Sequence, residues 1–164
     1  MSSETDRIEK RIVLQAPIER VWRAVSDSRE FGQWFGVELE GPFVENQRLS
    51  GKVVPTKVDA EVAKSQEPYA GTTFELEVER IEAPRRIAFR WHPFAVERDV
   101  DYSSEPTTLI VFELEQQGKA TVLTITESGF DRIPLARRVK AFAMNQQGWA
   151  VQAKLIEKYL ADGA

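Results

Sequence analysis

From Thr72 to Ile81 the chain reads TTFELEVERI, in which Phe74, Leu76 and Val78 alternate with Glu75, Glu77 and Glu79. That is the period of an extended strand. One face of the strand is apolar and the other acidic, so it belongs in a sheet covered on one side and wet on the other. The pattern recurs in RIAFRW, Arg86 to Trp91, where Ile87, Phe89 and Trp91 point one way. It recurs again in TTLIVFELE, Thr107 to Glu115, where Ile110, Phe112 and Leu114 share a face. Gln116 to Lys119 reads as a hairpin turn into a closing strand, ATVLTITE, from Ala120 to Glu127. Three further strands precede these: Ile8 to Leu14, Val37 to Phe43, and Gln47 to Val54, the last stopped by Pro55.

A half-apolar sheet needs one cover, and only the end of the chain is long enough to supply it. Leu135 to Leu160 carries the stripe Leu135, Val139, Phe142, Gln146, Trp149, Ala153, Ile156 and Leu160, stepping by four and three as one helix face does. Two shorter helices follow the first strand. One holds Ile18, Val21, Trp22 and Val25 after Ala16-Pro17, and the other, with Asp27 or Ser28 as its cap, holds Phe31, Trp34 and Phe35. Gly32 and Gly36 keep that second helix short or bent. Runs of antiparallel strands beside a helix give the α+β class. Pro55 to Gly71 and Pro93 to Pro106 read as long connections without structure of their own, which are often functional.

The long helix has a feature that asks for a reason. Gly148 stands beside Trp149 in its middle, where Gly costs about 1 kcal/mol against Ala. Gly148 is therefore expected where the helix passes close to another element or bends, with Trp149 facing the sheet and Gln146 turning an amide inward.

Composition excludes several classes. The chain has 164 residues and a net charge of −4, from 22 basic and 26 acidic side chains. Nucleic-acid binding calls for a basic stripe, and the one cluster here, Arg137, Arg138 and Lys140, reads as a solvated helix face. No apolar run approaches the roughly 20 residues of a membrane span, and the start, MSSETDRIEKR, lacks a secretory signal. Without cysteine there is no disulfide or thiolate chemistry. Residues 1–6 are expected to be disordered, residues 7–161 to form a single domain, and the location to be cytoplasmic. No nucleophile elbow, phosphate loop, metal-ligand spacing or dinucleotide fingerprint is present, so no catalytic residue, cofactor or metal is expected.

Three segments carry a family resemblance: APIERVWRAVSDSREFGQWF near the start, ATVLTITESGF, and NQQGWAVQAKLIEKYL. With the strand order they resemble the activator-of-heat-shock-protein-90-ATPase homologue-like family, within the START or birch-pollen-allergen-like (SRPBCC) superfamily. The resemblance covers about Arg7 to Leu160 and implies a helix-grip fold, a curved antiparallel sheet of six to seven strands around the long C-terminal helix. It also implies a cavity between sheet and helix. By that analogy the ligand-binding residues are Trp34, Phe35, Phe43, Phe74, Phe89, Trp91, Phe112, Phe142, Asn145, Gln146 and Trp149, aromatic walls with two amides to orient a guest. Tyr69, His92, Phe94, Tyr102 and Phe130 are expected round the cavity mouth. His92, the only histidine, has no partner visible in sequence and reads as a capping or surface residue. Glu97, Asp99, Asp101 and Glu105 read as a solvated acidic loop, since no calcium-loop pattern accompanies them.

The function expected is binding of a small hydrophobic or amphipathic molecule, as a carrier or sensor. The family name implies one alternative, a co-chaperone module that binds the heat-shock-90 chaperone. The superfamily implies another, a polyketide cyclase or aromatase-like enzyme using His92, Tyr69 and Tyr102. Sequence leaves the oligomeric state open.

Overall fold

A computed structural model describes residues 7–92 and 105–162. The expectations for residues 1–6, and for Phe94, Glu97, Asp99, Asp101 and Tyr102, lie outside the described residues.

Strand β1 (Arg7–Leu14) leads into helix α1 (Ile18–Ser26) and helix α2 (Ser28–Phe35). Strands β2 (Val37–Leu39) and β3 (Arg48–Val53) follow, then helix α3 (Ala60–Gln66) and a short 3₁₀ turn at Glu67–Tyr69. Strands β4 (Thr73–Glu82), β5 (Arg86–Trp91), β6 (Thr108–Gln117) and β7 (Ala120–Ser128) come next. A second 3₁₀ turn at Phe130–Arg132 precedes helix α4 (Leu135–Asp162). The seven strands form one antiparallel sheet in the order β1-β7-β6-β5-β4-β3-β2. It is the curved α+β arrangement that the helix-grip resemblance implies.

Local chemistry explains the turns that place α2. Asp27 ends α1 and caps α2, its Oδ1 accepting from the backbone N–H groups of Arg29 and Glu30. Gly36 stops α2 with φ at 101°, a left-handed conformation that Gly alone adopts without strain. Gly32 lets β2 approach, because a Cβ there would sit 2.2 Å from the Val37 carbonyl oxygen. α2 is thereby folded back so that Phe31 and Trp34 are buried.

The structure corrects three expectations. The connection after Pro55 is not structureless: Asp59 caps α3 by accepting from the Glu61 and Val62 N–H groups. Gly148 does not ease a close approach, for a Cβ there would meet nothing within 4 Å, and α4 continues as helix on both sides of it. The inward stripe of α4 holds from Phe142 onward, where Trp149, Ile156 and Leu160 are buried and Phe142 and Ala153 half-buried, but fails at three places: Leu135 and Val139 are each 70 % exposed and Gln146 is exposed. Ala141 and Leu155 are buried as well, and half-buried Asn145 takes the inward place assigned to Gln146, with Gln152 half-buried beside Ala153.

Candidate functional site

The site grows from the register of β7. Thr121, Leu123 and Ile125 pair with Gln116, Leu114 and Phe112 of β6 and share their inward face. The next residue in that alternation is Glu127, opposite Ile110. Glu127 is therefore carried into the interior by the same period that carries Leu123 and Ile125 there. Its side chain has no exposure to solvent.

Four side chains donate to that carboxylate. Trp149 Nε1 donates to Oε1 at 2.8 Å, and Trp91 Nε1 donates to Oε2 at 2.7 Å. Thr108 Oγ1 donates to Oε2 at 2.5 Å. Asn145 Nδ2 lies across both oxygens, at 3.0 Å from Oε1 and 3.2 Å from Oε2. Donors from β5, β6 and α4 thus converge on one acceptor from β7. No cation among the described residues pairs with it. Burial pushes the Glu127 carboxyl up from the usual range, while the bonds from Thr108, Trp149, Trp91 and Asn145 pull it down; burial prevails. An indole only donates, so of the four partners only the Thr108 hydroxyl, or the Asn145 amide turned to present its oxygen, could accept a hydrogen bond from a protonated Glu127.

Aromatic rings enclose this centre. Trp91 and Trp149 stack with centroids 5.6 Å apart and planes 15° from parallel. Phe35 lies 5.9 Å from Trp91 and 6.1 Å from Trp149, Phe74 meets Trp91 edge-on at 5.7 Å, and Phe112 meets Trp149 edge-on at 5.8 Å. Deeper in, Phe31 joins Trp34, Phe43, Phe89 and Phe112. The Trp34 N–H donates to the Ala24 carbonyl at 2.9 Å, so Trp34 is a satisfied core residue. Of the rings named from sequence, Trp34, Phe43, Phe89, Phe112 and Trp149 are buried, and Phe35, Phe74, Trp91 and Phe142 are half-buried. Ring edges occupy the space between sheet and α4, so a guest there has to displace half-buried rings. Two surface hollows lie elsewhere: about 850 Å³ on the outer sheet face beside Arg11 and Arg86, and about 500 Å³ beside Ser26 and Phe43.

The expected mouth residues do not share one environment. Phe130 is fully buried and packs edge-on against Phe142 at 5.2 Å, so it is no exposed rim. Tyr69 is exposed after α3. His92 is half-buried, with Nδ1 buried and without a hydrogen-bond partner. Gln152 resembles it in this: Nε2 donates to the Phe35 carbonyl at 2.9 Å, while its buried Oε1 has no partner.

Sequence reasoning named Trp91, Asn145 and Trp149 but missed Glu127, Thr108 and Gln152. The signal for Glu127 was its odd-numbered place in ATVLTITE, in step with Leu123 and Ile125. Among the described residues no group of three or more His, Cys, Asp or Glu side chains could hold a metal ion, and no helix is long and apolar enough to cross a membrane.

A curved antiparallel sheet gripping a long terminal helix, with a polar centre sealed between them, defines a helix-grip protein of the SRPBCC class. The model of the family described as activator of Hsp90 ATPase homolog 1-like protein matches residues 15–161, and the chain belongs to that family. Among solved structures it is similar to DynU16, a protein of the dynemicin biosynthetic locus, at 25 % identity and a TM-score of 0.68 over 96 % of this chain. The match covers 48 % of DynU16, so the chain spans about half the length of that protein. It is similar to MLL2253 of Mesorhizobium loti at 15 % identity and a TM-score of 0.70, over 96 % of this chain and 98 % of that one. It is similar to the Aha1 dimer of Colwellia psychrerythraea at 16 % identity and a TM-score of 0.63, over 94 % and 95 % of the two chains. Both of these show the fold alone. No curated protein matches the chain.

Proposed function

We propose that the protein binds a small hydrophobic or amphipathic molecule between the sheet and α4, as a carrier or sensor. The observation that carries this reading is the Glu127 centre, a buried carboxylate held by four donors inside an aromatic interior. A chain that needed only a core would fill this space more cheaply with apolar side chains. Half-buried Phe35, Phe74, Trp91 and Phe142 are the rings a guest entering from solvent would meet and displace. Native mass spectrometry of the protein incubated with extract of its source cells tests the reading. A specific adduct is expected, weakened in Trp149→Phe and Gln152→Leu. Absence of an adduct from every extract would remove it.

A second reading is catalysis, favoured by a titratable group, Glu127, hydrogen-bonded to two of these rings. Glu127, rather than the trio of His92, Tyr69 and Tyr102, would then carry proton transfer. A metabolite of the extract consumed by the protein, and left intact by Glu127→Gln, is the outcome that selects it over simple binding.

A further inference from the structure

Two polar groups that meet the space under α4 call for a donor or a cation, those of Glu127 and Gln152. Glu127 brings a carboxyl whose four partners are all neutral donors, so none of them neutralises the charge it carries when ionised. Gln152 brings a buried amide oxygen with no donor. On α4, Asn145, Trp149 and Gln152 are spaced by four and three and lie on one face. Trp149 donates to the Glu127 carboxylate, its ring lies 6.1 Å from that of Phe35, and the Phe35 backbone carbonyl accepts from the Gln152 amide. Aromatic faces also carry negative potential and attract cations.

Resting on the binding reading above, we propose that this interior selects amphipathic ligands whose polar end is a cationic amine and discriminates against carboxylates, with Glu127 as the electrostatic anchor and Gln152 Oε1 as an acceptor. An amine meets three features at once: a buried carboxyl to which it can give or share a proton, a vacant acceptor and the faces of stacked indoles. A fatty acid or aryl carboxylate would bring a second negative charge beside Glu127, and water is excluded there, so screening is weak. The bifurcated Asn145 amide marks where a donor reaches both carboxylate oxygens, and Asn145, half-buried, is the partner a ligand ammonium can replace. The alternative is a carboxylate that only fixes the seat of α4 on the sheet, a role buried polar groups do fill.

Calorimetric titration of the full chain with three probes sharing one ring system decides it: naphthylmethylamine, naphthylmethanol and naphthoate, near neutral pH. The amine is expected to bind at least about tenfold more tightly than naphthoate, with the alcohol between them. Because the anchor is buried, the ratio should persist at ~0.5 M salt, where surface fields are screened within a few ångströms. Glu127→Gln should bring the ratio toward one, and Gln152→Leu should weaken amine and alcohol alike. Equal or tighter binding of naphthoate overturns the proposal, as does a preference that disappears in salt, which the net negative surface would explain. These wild-type measurements stand even if Glu127→Gln does not fold. Binding of the alcohol without preference for the amine defeats this inference and leaves the binding reading intact; failure of all three probes counts against both.

Discussion

Trp91 and Trp149 come from opposite layers of the fold, stack at 5.6 Å, and aim both indole N–H groups at the same carboxylate, that of Glu127. The stack therefore joins β5 to α4 through apolar contact and through hydrogen bonds at once. Indole is the side chain that can do both, since it presents a large ring and a single donor. Trp149→Phe keeps the ring and removes the donor. It is expected to cost about 1–3 kcal/mol by leaving a buried acceptor short of one partner. Urea unfolding of the variant against the wild type measures it, and an unchanged midpoint would show that the bond contributes nothing.

Stability should depend on pH through Glu127. Its carboxyl is raised in the folded chain, chiefly by burial. As pH rises past the unfolded value, about 4.3, the unfolded chain loses that proton while the folded chain keeps it. The contribution is thus full below the unfolded value and is lost as pH rises through the folded one. The groups facing Glu127 (Trp91, Thr108, Asn145 and Trp149) do not titrate in this range, so the slope belongs to the carboxyl. Glu127→Gln should lack it: the stability of the wild type relative to the variant is expected to fall as pH rises. Parallel stability curves from acid to neutral pH would contradict this.

Two glycines give opposite forecasts for the same change. Gly148→Ala adds a methyl group to open space in a helix interior and should stabilise by up to about 1 kcal/mol. Gly32→Ala drives a methyl group into the Val37 carbonyl and should destabilise by about 1–3 kcal/mol or more. Thermal melts of the two variants settle both, and a shift of the same sign in each would refute the argument.

The phase of α4 can be checked at three positions. Leu155→Ala, at a buried site, should cost about 2–5 kcal/mol, while Leu135→Ala and Val139→Ala, at sites 70 % exposed, should stay within about 0.5 kcal/mol. A costly Leu135→Ala would restore the stripe read from sequence.

Glu30 ties three helices together. Its carboxylate accepts from Arg20 of α1 and from the Tyr159 hydroxyl of α4, each at 2.8 Å, and pairs with Arg23. Glu30→Ala would strip partners from partly buried Arg20, and a loss of about 1–3 kcal/mol is expected in denaturant unfolding. Tyr159→Phe should lose less, since Arg20 and Arg23 would remain on the carboxylate.

The sheet was legible because alternation is a local signal. β5 is found from Arg86 to Trp91 as read, and the other long strands differ by a residue or two at their ends. α3 was hidden because AEVAKSQ has few apolar residues and buries none, so no periodicity announces it. The first turns of α4 were misread for a related reason. Counting assumes that apolar residues turn inward, yet there the small Ala141 and the amide of Asn145 face in, the latter toward Glu127, and Leu135 and Val139 lie outside, while Trp149, Ile156 and Leu160 are buried as read. Glu127 itself was passed over because a glutamate at a strand end ordinarily reaches water. Its register alone identified it. Its four donors come from residues 91, 108, 145 and 149, and only the tertiary fold brings those together.

The place of β1 in the sheet has a consequence for how the chain is made. Arg7 to Leu14 leaves the ribosome ahead of the rest of the sheet, but among the described strands it pairs with β7, where Leu14 opposes Thr121 and Arg7 opposes Ser128, roughly a hundred residues later. Until then the nascent strand exposes an unpaired backbone edge together with Ile8, Ile12 and Leu14, the kind of segment that pairs with whatever strand it meets. Synthesis of this protein is therefore a race between its last hairpin and its neighbours on the polysome, and translation that pauses before β7 is where that race would be lost.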